Sequence, residues 1–220
     1  MAGGTMSLLL AGMVLLMGSA ILYQIIADRR RRDGLAAMAA RRGWALEMED
    51  RLALAGVFHL IGRENRIRVA PRDGAAWRCE VNNWDEEREN PDLDSSAELI
   101  ARKGVTNFLD ASCPAPAGFG VTIGPPAGTN AARQAEHATG LPDSISVHAP
   151  DGVPEGIDLA RIAAAAEAWR SRHRDAAAPV LAWWSGGVRV RLDEDAIDAA
   201  RLEDFILAAL EMRAAIRPAA

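Results

Sequence analysis

The chain opens with an unbroken apolar run, residues 6–27, which carries no charge and stops at Asp28 and four successive arginines, Arg29, Arg30, Arg31 and Arg32. At about 1.5 Å per helical residue these 22 residues reach about 33 Å, close to the ~30 Å hydrocarbon core of a bilayer. A segment alone in lipid must satisfy its own peptide groups, which a helix does. The pattern predicts a short tail (1–5), a transmembrane helix (6–28) and a basic juxtamembrane stalk helix (29–43). In that stalk Leu35, Met38 and Ala39 share one helical face, and Gly43 supplies a stop.

Beyond Gly43 the period changes from helical to alternating. Runs at 44–48, 52–61, 66–70 and 75–81 read as strands, separated by turns expected at Glu49-Asp50, Gly62-Arg63-Glu64-Asn65 and Arg72-Asp73-Gly74. Ile67 and Val69 alternate with Arg66 and Arg68, and Trp77, Cys79 and Val81 with Arg78 and Glu80, as in an antiparallel meander with one wet face. Residues 84–96 form an acidic stretch broken by Pro91 and read as a surface loop. Residues 95–103 suit a short helix, with Ser95 and Glu98 at capping-box spacing, although Leu99-Ile100 also suits a strand. A strand at 119–123, a Pro/Gly-rich run at 124–128 and a short helix at 130–139 follow.

The last third is the best patterned. Residues 144–148 read as a strand and Asp158 as the N-cap of a helix to about Arg172, with Leu159, Ile162, Ala163, Ala166 and Trp169 at helical spacing. Runs at 180–184 and 188–192 flank Ser185-Gly186-Gly187, a hairpin signal. A final helix is expected over 195–213, with Leu202, Phe205, Ile206, Ala209 and Leu210 in one stripe.

The fold class expected is therefore α+β: one N-terminal transmembrane helix, an antiparallel β-meander lobe (44–124), a Pro/Gly-rich linker with a short helix (125–143), a strand-helix-hairpin-helix lobe (144–216) and a tail (217–220). The SISVHAPDG strand and turn, the VLAWWSGGVRVRL hairpin and the LEDFILAALEMRAAI helix, taken with the anchor, resemble families of uncharacterised bacterial single-pass membrane proteins with a small cytoplasmic α+β domain. That resemblance implies a shape and a bacterial inner-membrane location. It implies no activity and no site residues.

The flanks set the direction of the anchor. Residues 1–5 hold no basic side chain, whereas four arginines follow the span, so the positive-inside rule places the C-terminal domain in the cytoplasm. The alternative is an exported chain cut near Ala20, where Gly18-Ser19-Ala20 suits a signal peptidase; against it, the basic cluster follows the apolar run and the run continues past Ala20. With the anchor, Asp28 and the arginine cluster set aside, 21 basic residues face 29 acidic ones. That balance argues against nucleic acid as a partner. Cys79 and Cys113 lack metal or redox spacing and are expected as free thiols in a cytoplasmic domain.

Candidate chemistry is sparse. Gly124-Pro125-Pro126-Ala127-Gly128-Thr129 stands between a strand and a helix, where phosphate loops occur. It lacks the lysine, its glycines are too close, and its prolines remove cradling N–H groups, so it reads as a rigid linker. His59, His137, His148 and His173 form no metal-binding pair, and no serine sits in a nucleophile elbow. The carboxylates Asp85, Glu86, Glu87, Glu89, Asp92 and Asp94 do not match a calcium loop and read as a solvated face. No catalytic, cofactor or metal site is expected.

Arg29, Arg30, Arg31 and Arg32 are the expected membrane-interface residues. Strand alternation puts Trp183 with Leu181, Val188 and Val190, and Trp184 on the opposite face with Arg189 and Arg191. Trp184 then stacks on an arginine, is covered by the meander lobe (favoured, since monomers rarely leave large apolar patches bare), or forms a partner surface with Arg189 and Arg191. The function expected is a scaffold or accessory subunit that binds another protein at the membrane, of unknown oligomeric state. The alternative is a membrane-tethered enzyme or small-ligand sensor with a cleft between the lobes gathering His59, Asp151 or the acidic loop.

Overall fold

The computed structural model describes residues 2–53, 62–82, 104–125, 141–142, 144–149, 152–194 and 198–216, with side chains from residue 12 onward except 13, 14, 24, 50–53 and 62–65. The helix α1 runs without interruption over Ala2–Arg42, joining the apolar run to the expected stalk. No helix among the described residues is long and apolar enough to cross a membrane. The described side chains of α1 cover only the later part of its apolar run.

Eight strands follow among the described residues: β1 (Trp44–Ala53), β2 (Gly62–Pro71), β3 (Trp77–Asn82), β4 (Val105–Asp110), β5 (Val121–Gly124), β6 (Ser146–His148), β7 (Val180–Trp184) and β8 (Gly187–Leu192). They form one antiparallel sheet in the order β1-β2-β3-β4-β8-β7-β5-β6. Helix α2 (Leu159–Arg172) precedes the β7–β8 hairpin, and α3 (Ala199–Ala214) follows it. The fold is α+β, as the pattern implied.

The two expected lobes share this sheet. Strand β4 pairs with β8, and β5 lies between β7 and β6, so strands from both halves of the chain interleave. Two expected turns are strand: Glu49-Asp50 lies inside β1 and Gly62 to Asn65 inside β2. The ten-residue register sets Glu49 opposite Arg66, so a charge that suggested a turn faces its opposite across a two-stranded ribbon. The turn at Arg72-Asp73-Gly74 is observed, with Gly74 at φ 85°. Strand β4 was not foreseen. Its residues are buried throughout, and a strand covered on both faces shows no alternation. The acidic loop, the helices expected at 95–103 and 130–139, most of the linker and the tail lie outside the described residues.

One face of the sheet carries Ile67, Val69, Cys79, Val81, Phe108, Val190, Leu181, Trp183, Val121 and Ile123, which form a single core with Ile162, Trp169, Leu202, Phe205 and Met212 of the helices. The opposite face is polar toward β1 to β3, where Glu80 lies 3.4 Å from Arg68 and 3.5 Å from Arg78. Helices α2 and α3 both start on side-chain caps, Asp158 accepting from Arg161 N at 3.0 Å and Asp198 from Arg201 N at 2.8 Å. Each cap is worth about 1 kcal/mol.

Candidate functional site: the joint between the long helix and the sheet

Leu35, Met38 and Ala39 are buried, as their shared face predicts, and α1 packs there against β1 and α3. The two helices approach closely at Gly34, where a Cβ built on the backbone would meet Ala199 Cβ at 3.5 Å, an ordinary van der Waals contact. At the end of the helix Arg42 Nε donates to Glu203 Oε1 at 2.5 Å, and Arg41 pairs with the other carboxylate oxygen. Burial pushes the Glu203 carboxyl up, but the two guanidiniums outweigh it and hold it below its ordinary value. Gly43, at φ 69°, turns the chain out of the helix, its N–H bonding to Ala40 O. Trp44 then enters β1 and meets Trp77 edge-on at 5.4 Å, and Trp77 stacks on Phe108 at 5.5 Å. An aromatic row thus runs from the end of α1 to the central strand.

Before Gly34 the character of α1 reverses. Leu15, Leu16, Leu22, Tyr23, Ile25 and Ile26 are 43 to 74% exposed. Burying a large apolar side chain is worth roughly 1.5–3 kcal/mol, so leaving these six in water forgoes about 10 kcal/mol. The stretch ends at the arginine cluster, where Arg32 pairs with Asp28 at 3.1 Å while Arg29 and Arg30 stand exposed.

At the Trp184 surface the two adjacent tryptophans lie on opposite faces, and of the arrangements left open by the sequence the stack on an arginine is present. Trp183 is in the core and donates from Nε1 to Cys113 O at 2.9 Å. Trp184 lies on the other face, half-buried, with the Arg189 guanidinium 4.8 Å from its ring centroid. Its indole folds over its own hairpin, since a Cβ on Gly186 would lie 2.5 Å from Trp184 Nε1. Arg189 is only 3% exposed, and Arg191 pairs with Asp193 with its side chain 17% exposed. Both arginines are therefore engaged within the fold, Arg189 buried, while Trp184 and Arg191 each retain part of their surface.

The remaining residues singled out in the sequence do not converge. Ser144 Oγ hydrogen-bonds to Glu167, and His173 lies 2.9 Å from Asp204 with its ring 4.3 Å from that of Trp169. His148 is on the edge strand β6. Cys79 and Cys113 are free and buried, and burial pushes both thiols up, away from reactive thiolate. Of the glycine-rich run only Gly124 and Pro125 are described, and Gly124 packs its backbone on Val180. His59, His137, Asp151 and the acidic loop lie outside the described residues. Among the described residues no three His, Cys, Asp or Glu side chains gather to hold a metal.

Sequence patterning missed Glu203, a carboxylate beside the apolar stripe of α3 whose only signal is the Arg41-Arg42 pair 161 residues away from it. It also missed Asp110, which accepts from Ser112 N at 2.9 Å and from Arg213 Nε at 2.7 Å and so ties β4 to the last turn of α3. No protein-family model, curated protein or solved structure matches the chain.

Proposed function

We propose that the protein is a single-pass membrane anchor whose α+β domain, held in the cytoplasm at a bacterial inner membrane, serves as a scaffold or accessory subunit for another protein. The observation that carries this reading is the change of character along one uninterrupted helix. Its first part leaves large apolar side chains bare around the arginine-flanked run, and its last two turns are locked to the domain by Leu35, Met38 and the Glu203 pair. Lipid supplies the missing cover for the first part. The locked end carries the domain at a fixed attitude, which suits presentation of a surface to a neighbour in the same membrane.

Two experiments test it on the full chain. Alkaline carbonate extraction should leave the protein in the membrane pellet, and a reporter fused to the C-terminus should be active on the cytoplasmic side with the chain uncut. A photo-crosslinking residue in place of Trp184 should capture a discrete protein partner in cells. Release by carbonate overturns the anchor; retention without any crosslinked species overturns the scaffold role.

A further inference from the structure

Helices α2 and α3 run antiparallel: Arg161 Nε meets Glu211 at 2.7 Å at one end, while Arg172 and His173 meet Asp204 at 3.3 and 2.9 Å at the other. Helix α1 leaves the domain at that second end, where Gly34 faces Ala199 at the start of α3. The last turn of α2 and the following loop, residues 173–179, therefore lie on the side from which α1 departs. From Ala27 to Gly34 the helix rises about 10 Å, and the polar headgroup layer is about 5–7 Å thick on each side of the hydrocarbon. The gap left is within reach of an arginine side chain.

The charges at this end are unevenly settled. Asp175 and Glu194 are both taken by Arg201, and Asp204 by Arg172 and His173. Arg170 pairs with Glu167 at 3.2 Å, on the rim of an open cleft of about 450 Å³ that is also lined by Ser171, His173 and Arg174. Arg174 is exposed and has no acidic partner among the described residues. Arginines in the last helical turn also complement the helix dipole, which accounts for Arg170 and Arg172. Arg174 lies beyond the helix and serves neither purpose. With its neighbouring carboxylates neutralised, it stands on the same side as the exposed Arg29 and Arg30.

We propose that the end of the domain formed by the last turn of α2 and the loop to β7 faces the bilayer, and that Arg174, with Arg170 across the cleft, engages the phosphates of anionic lipid headgroups. A guanidinium offers a planar fork of donors that matches a phosphodiester. This inference rests on the anchor reading and adds to it an orientation and a lipid preference.

The test uses the full-length protein in nanodiscs of phosphatidylcholine alone or with phosphatidylglycerol. Fluorophores are placed at Ser171→Cys or, at the opposite end of α2, at Glu155→Cys; Cys79 and Cys113 are buried, so labelling is selective. A quencher carried on the lipid headgroup should quench the label at 171 at least threefold more than the label at 155. Phosphatidylglycerol should deepen that quenching, and Arg174→Glu with Arg170→Glu, both exposed changes, should return it to the phosphatidylcholine level with the circular dichroism unchanged. Equal quenching at the two positions, or an anionic enhancement that survives the double change, overturns the proposal while the anchor stands. Failure to enter nanodiscs overturns both.

Discussion

Arg42 Nε lies 2.5 Å from Glu203 Oε1, a single contact that joins the last turn of the long helix to the first turns of the last one. With Arg41 on the second oxygen, the carboxylate is shared by two cations whose side chains are 41% and 62% exposed. Replacing Glu203 by alanine leaves those cations free to hydrate, so the loss is that of a partly exposed pair, about 1–2 kcal/mol. It should fall on the joint. The check is limited trypsin digestion, in which cleavage after Arg41 or Arg42 should accelerate several-fold in Glu203→Ala while the sheet domain stays protected.

Acid should loosen the same joint. The Glu203 carboxyl is held below its ordinary 4.5, with burial opposing and Arg42 and Arg41 prevailing. Asp110 is likewise below its ordinary 3.8, where hydrogen bonds from Ser112 and Arg213 overcome the cost of burial. A carboxylate with a depressed native pKa contributes stability that is complete above its unfolded value and is lost as pH falls through the native one. Stability measured by denaturant unfolding should therefore be level above about pH 5 and fall progressively below it. Glu203→Gln should reduce that slope, and an unchanged slope would show that the pair does not contribute.

Gly187 is fixed by two constraints at once. Its φ is 116°, and a Cβ there would lie 2.3 Å from the backbone oxygen of Asp110. Gly187→Ala should cost about 3 kcal/mol or more, because neither the turn nor the central strand can give way. Gly120, with open space around it and no positive φ, is the control, and Gly120→Ala should be neutral or slightly stabilising. Urea unfolding midpoints decide between them.

The two adjacent tryptophans should separate cleanly. Trp183→Ala removes a side chain only 1% exposed, together with its bond to Cys113 O, and should cost about 3–5 kcal/mol. Trp184→Ala removes the stack on Arg189 and part of a half-buried surface, at about 1–2 kcal/mol, and the domain should still fold. Thermal unfolding of the two variants, read beside the crosslinking yield in cells, separates a structural role for Trp184 from a partner-binding one.

What the sequence by itself determined is local: the α+β class, the apolar run and its arginine flank, the buried face of Leu35, Met38 and Ala39, the Asp158 cap, the β7–β8 hairpin and the opposite faces of Trp183 and Trp184. Each follows from a period of two or 3.6 or from a turn residue, and such signals span a few neighbours. Tertiary structure alone decided that β4 is a central strand, that β5 inserts between β6 and β7, and that Glu203 serves Arg41 and Arg42. It likewise selected, among the arrangements left open for Trp184, the stack on Arg189, and buried that arginine. The physical reason is the same in every case: edge-to-edge pairing and buried ion pairs depend on which distant segments share space. A strand covered on both faces, or a carboxylate beside an apolar stripe, carries no local mark of its partner.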